Sequence, residues 1–106
     1  MKAGISHFPT SYSIPPHELG PALEERGFES IWVAEHSHIP STRKTPHPSG
    51  KPLPQRYFDT LDPFVFLTAL AMHTTDLLLG TGICLVIQRD PIHTCLLYTS
   101  PSPRDA

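Results

Sequence analysis

The 106-residue chain is poor in cysteine, in charge and in long apolar runs. Two cysteines, Cys84 and Cys95, allow a single pair, which excludes a disulfide-built scaffold. Charged residues make up 17% of the chain and the formal net charge is −2, where about a quarter charged is usual. That balance lacks the basic footprint of a nucleic-acid binder, so no nucleic-acid partner is expected. No uninterrupted apolar run approaches the ~20 residues of a membrane helix, and no membrane partner is expected either. The opening segment Met1–His7 lacks the apolar stretch of a signal peptide. With so few cysteines, the expected setting is the reducing cytoplasm.

Proline is what the chain has in excess, 13 of 106 residues, where about 5% is usual. Pro40, Pro46, Pro48, Pro52 and Pro54 crowd one stretch, and Pro101 and Pro103 sit near the end. Between these zones the sequence reads as regular structure. A short strand signal over Lys2–Phe8 ends at Pro9. A helix is expected between Pro16 and Arg26, with Leu19, Ala22 and Leu23 on one face and Gly27 just past its end. Pro21 conflicts with a start at Pro16, because proline inside a helix removes a hydrogen bond. Either the helix kinks there or Pro21 is its first position. Ser30–Ala34 is a continuous apolar run, the pattern of a strand covered on both faces.

Residues 37–61 have no periodicity and read as a long loop, of the kind that is functional or disordered. Asp62-Pro63 marks a helix start, Asp as N-cap and Pro at the first helical position. That helix runs through Phe64, Leu67, Leu70 and Ala71, and Thr74–Asp76 closes it. Leu77–Ile87 then reads as a third buried strand interrupted by Gly80 and Gly82. Alternating buried strands and amphipathic helices indicate parallel α/β architecture. Three strands and two helices do not cover both faces of such a sheet, so the chain is expected to open a larger fold.

Chemistry in parallel α/β folds gathers at the C-terminal strand ends. Glu35-His36-Ser37-His38 follows the second strand. His36 and His38 offer a zinc-type pair with Glu35 or His47 as a further ligand, as in a metal-dependent barrel hydrolase. They also admit plain polar capping of the strand end, or organic acid–base work with His36 as proton donor and Glu35 orienting it or touching a ligand. Leu79-Gly80-Thr81-Gly82 lacks a phosphate-binding context, so its glycines indicate a close approach to a ligand or close packing within the sheet. Arg89 reads either as half of a solvated ion pair or as a group facing an anion. Arg43, Lys44, Lys51 and Arg56 are solvated or fold over an acidic cofactor tail. Cys84 reads as a small buried hydrophobe. A further reading of the whole is a small interaction module with a proline-rich recognition loop.

Several stretches, taken in order, resemble the luciferase-like monooxygenase superfamily, and within it the deazaflavin (coenzyme F420)-dependent oxidoreductases. They are Leu23-Glu24-Glu25-Arg26-Gly27-Phe28-Glu29-Ser30-Ile31-Trp32-Val33 with Glu35-His36, then Thr60-Leu61-Asp62-Pro63-Phe64. Leu79-Gly80-Thr81-Gly82-Ile83-Cys84-Leu85-Val86 and Gln88-Arg89-Asp90-Pro91 complete the set, and the similarity runs from about Lys2 to Thr94. The resemblance implies the N-terminal part, about three β/α units, of a (β/α)8 TIM barrel. It implies hydride transfer from reduced F420, or oxygen activation on reduced FMN, with a small-molecule substrate, and the intact enzyme is expected as a homodimer. It assigns Glu35 and His36 to contact with the reacting ring and substrate. It also places a non-proline cis peptide at Gly82-Ile83 as a backstop behind the ring. No metal is implied. Residues 1–94 are thus expected to belong to the barrel. The string 95–106, Cys95 to Ala106, leaves the family pattern and resembles a translated sequencing adapter, expected to be non-native and disordered. A natural Ser-Pro linker is the alternative.

Overall fold

The computed structural model describes residues 1–100 of the chain. Three strands, β1 (Gly4–His7), β2 (Ser30–Val33) and β3 (Leu78–Thr81), form one parallel sheet in the order β1-β2-β3. Ser30 pairs with Gly4 on one side and Leu78 on the other, and Val33 with His7 and Thr81. Parallel pairing needs a crossover between consecutive strands. Helices α1 (Pro16–Glu25) and α2 (Pro63–Ala71) supply them, and α3 (Pro91–Thr99) follows β3.

The core lies between the sheet and its two crossover helices. Leu19 and Leu23 from α1, Phe66, Leu67 and Leu70 from α2, and Ile31, Val33 and Leu77 from the sheet side form one buried cluster. Ile31 and Val33 are fully buried, whereas Trp32, pointing to the opposite face, is 48% exposed. The apolar run of β2 is therefore covered by this chain on one face only. Gly20 lets α1 pack against α2 and the turn that follows it, since a Cβ there would stand 2.6 Å from Thr74 Cγ2 and 2.9 Å from Leu70 Cδ2.

Helix α1 begins at Pro16 and carries Pro21 inside it, so Pro21 is not its first position. Pro21 lies on the exposed side of the helix, where water can satisfy the carbonyl that its missing N–H leaves free. Gly27 follows in the left-handed region, φ 79°, the conformation that glycine adopts without steric penalty. Helix α2 starts as its sequence dictates, Asp62 accepting from the Val65 amide at 3.0 Å with Pro63 beside it.

Strand β3 is shorter than its apolar run. It stops at Thr81, and a single 3₁₀ turn occupies Val86–Gln88. The Leu85 N–H, which a longer strand would have offered to a ladder, donates instead to the Glu35 carboxylate at 2.7 Å. Helix α3 runs into the string that begins at Cys95, and the helix ends at Thr99. Asp90 caps that helix by accepting from His93 N at 2.9 Å. Once nucleated, the helix passes over Leu96 and Leu97, residues of good helix propensity. No residue of α3 is buried. Residues 101–106 of the expected tail lie outside the described residues.

Candidate active site

The sequence places Glu35 and His36 immediately after β2, and the structure sends them in different directions. Glu35 is 7% exposed, and a carboxylate so buried requires compensation. Oε2 accepts from Leu85 N at 2.7 Å, and Oε1 accepts from Arg89 Nε at 2.7 Å, with Arg89 Nη2 at 2.5 Å. The Arg89 fork reaches on to Asp62 Oδ2 at 3.0 Å, and its guanidinium lies 4.8 Å from the centre of the Phe64 ring. Arg89 thus joins the end of β2, the N-terminus of α2 and the segment that follows β3. It is neither solvated nor turned to an external anion. Its bond to Glu35 raises its already high pKa. Burial alone would raise the Asp62 carboxyl, but the Val65 amide and Arg89 outweigh it and hold it below the usual value.

His36 is half-buried and packs on rings. Its imidazole stacks on Phe8 at 5.5 Å with 10° between planes, and Tyr57 leans on it at 4.9 Å. Tyr57 belongs to the long loop, which folds back over the strand ends and is tied there by Leu61 N donating to Pro9 O at 2.8 Å. Arg56 covers Phe8 and Tyr57 at 5.2 and 5.5 Å, and Arg43 lies 6.0 Å from the Phe58 ring. These two cations serve aromatic faces, Phe8 after β1 and Tyr57 and Phe58 in the loop. A cleft of about 230 Å³ opens beside His36, lined by Glu35, Ser37, Phe58, Thr60, Leu61, Asp62 and Pro63. Among the described residues no Lys or Arg lines it.

The expected orientation of His36 by Glu35 is not found: the carboxylate is bonded to Leu85 and Arg89, while the imidazole packs against Phe8 and Tyr57. The zinc-type set is also dispersed. His38 Nδ1 meets Ser37 Oγ at 2.9 Å, and Ser37 Oγ donates to Gln88 Oε1 at 2.7 Å. His47 Nδ1 meets Ser49 Oγ at 2.7 Å and its Nε2 faces the Tyr57 hydroxyl at 3.5 Å. Among the described residues no group of three His, Cys, Asp or Glu is arranged to hold a metal ion.

Gly82 continues past β3 with its N–H donating to Val33 O at 2.7 Å, and the Gly82-Ile83 peptide bond is cis. Ile83 is exposed at 67%. Gly80 answers the question its sequence left open, in favour of packing. A Cβ there would stand 2.5 Å from Trp32 Cε3, and one on Gly82 would stand 3.2 Å from Trp32 Cβ. A Cβ on Gly4 would stand 3.2 Å from Trp32 Nε1. The indole thus lies across both neighbouring strands and donates to Ser30 Oγ at 3.0 Å. Cys84 is half-buried, and burial, then the nearby Glu35 carboxylate, push its thiol above the ordinary value.

The clamp made by Arg89 and Asp62 was not legible as a functional unit. One signal was present: Arg89 is the sole Lys or Arg between Arg56 and Arg104, and a buried carboxylate after β2 needs a cation. Phe8 and Tyr57 carried no comparable signal, because the loop's path over the strand ends brings them to His36.

Parallel strands joined by helices on one face, with polar side chains gathered at their C-terminal ends, are the opening units of a β/α barrel enzyme. Residues 17–96 match the luciferase-like monooxygenase family, and the chain belongs to it. Its three β/α units are the N-terminal part of that family's (β/α)8 barrel, and the family is one of oxidoreductases acting on small molecules. Uncharacterized proteins of Mycobacterium bovis and of two strains of Mycobacterium tuberculosis are 37% identical to it over 95 residues. Those matches cover 87% of this chain and 34% of each relative, so the chain spans about a third of their length. No solved structure matches it. No helix among the described residues is long and apolar enough to cross a membrane.

Proposed function

We propose that this chain carries the ring-facing side of the active site of an oxidoreductase that uses reduced coenzyme F420, or in its place reduced FMN, on a small organic substrate. The observation that supports this reading is the setting of His36. Its imidazole stands at the C-terminal end of β2, fixed between Phe8 and Tyr57, at the wall of a cleft with apolar lining from Phe58, Leu61 and Pro63.

The residues present fit the flat ring of such a cofactor and not its anionic tail. Phe58, Leu61 and Pro63 offer apolar surface, while no Lys or Arg among the described residues lines the cleft and Arg89 is held by two carboxylates. When bound, the cofactor supplies the hydride or, as reduced FMN, activates oxygen. His36 then donates or accepts the substrate proton and limits where the substrate lies. Gly82 and Ile83, which follow β3 outside the lining of this cleft, would present backbone to the ring, and Glu35 would border it from β2. In this reading residues 1–94 belong to the barrel and 95–106 are appended to it. The whole enzyme is a cytoplasmic homodimer.

A chimera joining residues 1–94 to the remaining two-thirds of a mycobacterial relative tests the proposal. Titration with F420 and with FMN identifies the cofactor. His36→Ala should lower turnover by about 10²–10⁴-fold, the usual weight of a general acid or base, with cofactor affinity little changed. Unchanged turnover rejects the role of His36.

A further inference from the structure

We propose that Arg89 is a positioning residue: by bridging Glu35 and Asp62 it holds the backbone from Gly82 to Gln88 against the end of β2. This segment has little packing of its own. Ile83, Val86 and Ile87 are exposed at 67%, 66% and 93%, so burial does not fix its place. Gly82 N donates to Val33 O at its start, and beyond that point three kinds of side-chain tie among the described residues hold it. Leu85 N donates to Glu35, the Arg89 fork grips Glu35 and Asp62, and Ser37 Oγ donates to Gln88. Two of the three pass through the Glu35–Arg89 pair. Arg89 reaches from the far end of the segment to the same carboxylate that anchors Leu85 in its middle, closing the segment into a loop.

Glu35 therefore acts on this backbone as an anchor. Its two oxygens are occupied by an amide and a guanidinium, and its charge is matched before any ligand arrives. Arginine suits the task because its fork serves two carboxylates while its flat face lies on Phe64. A lysine would supply the charge and lose both the fork and the stacking. The consequence for a bound ring rests on the reading of Gly82 and Ile83 given above, while the holding of the segment does not.

Cys84 sits inside the segment and reports on it directly. In the full 106-residue chain with Cys95→Ser, its alkylation by iodoacetamide is followed against pH. The groups facing this thiol are Glu35, Arg89 and Asp62. Arg89→Gln should raise the limiting rate by about tenfold or more, the shift in opening expected when a charge-assisted hydrogen bond is lost. The midpoint should fall toward that of an ordinary thiol as the segment leaves Glu35 for water. Arg89→Lys should lie between the two. Glu24→Gln, which loosens a joint elsewhere, should leave both readings unchanged.

An Arg89→Gln chain with an unchanged limiting rate, whether its midpoint rises or stays, would overturn the proposal, since the segment would be in place without the clamp. Trp32 emission and helical circular dichroism check that the variant is folded. Should it not fold, Arg89→Lys is read instead: a raised rate supports the clamp and an unchanged one overturns it. The readout is a thiol and not turnover, so its failure leaves the role of His36 standing. Absence of F420 and FMN binding in the chimera, with Arg89→Gln still raising the Cys84 rate, would strike the functional reading alone.

Discussion

Glu35 and Arg89 lie 54 residues apart in sequence and meet through contacts of 2.7 and 2.5 Å. Their side chains are 6% and 16% exposed. Removing one partner strands the other's charge in a low-dielectric site, at a cost of about 3–5 kcal/mol. Arg89→Met should therefore destabilise the chain by about that much, measured by urea unfolding. Glu35→Gln together with Arg89→Met should recover part of the loss, because no bare charge remains. Equal stability of Arg89→Met and the parent would contradict the burial of the pair.

Glu24 makes a second joint, between α1 and the turn leading into β3. Its Oε2 accepts from the backbone of Asp76, Thr75 and Leu77. These amides, Asp76 first, favour the carboxylate and lower the Glu24 pKa from 4.5. A lowered folded pKa gives stability that is present above the unfolded value and lost as pH falls through the folded one. Thermal melts between pH 7 and pH 3 should show this loss, and Glu24→Gln should show less of it. An identical pH slope in the two chains would deny Glu24 this role.

His7 titrates with the same sign for a different reason. Its Nε2 is buried without a partner, 5.6 Å separates its ring from that of Phe66, and burial lowers its pKa from 6.5. The folded state resists the imidazolium, so stability is complete above pH 6.5 and declines as pH falls toward the lower folded value. His7→Phe should flatten the stability profile between pH 7.5 and pH 5.5 relative to the parent. If both chains lose the same stability over that interval, another group is responsible.

Trp32 and Gly80 supply a steric test. A methyl group on Gly80 would overlap the indole at 2.5 Å, and overpacking of this kind costs about 1–3 kcal/mol. Gly80→Ala should lower the urea midpoint and alter the emission of Trp32, the single tryptophan. Adding Trp32→Leu should relieve the clash. A Gly80→Ala chain with unaltered emission would show that the indole does not lie across β3.

The elements with strong local signals were legible in advance. Asp62-Pro63 starts α2, Gly27 follows α1, and Ser30–Val33 forms the central strand. The end of β3 was not, because Leu77–Ile87 is apolar throughout and nothing local marks Thr81 as the last paired residue. Pro21 left two readings open, and the helix runs from Pro16 through it: the local penalty is real, yet Leu19, Gly20 and Leu23 are buried on either side of it in the chain. At the site, the position of Glu35 and His36 after a buried strand was readable, and their division of labour was not.

The sequence by itself determined the order of the three strands and the two helices between them, the Asp62-Pro63 helix start and the membership of the family, since these depend on local propensity, periodicity and motif spacing. Only the tertiary structure decided that Glu35 faces Arg89 while His36 faces Phe8 and Tyr57. Adjacent residues leaving a strand point to opposite sides, and which side holds a cation or a ring depends on segments brought back from far along the chain.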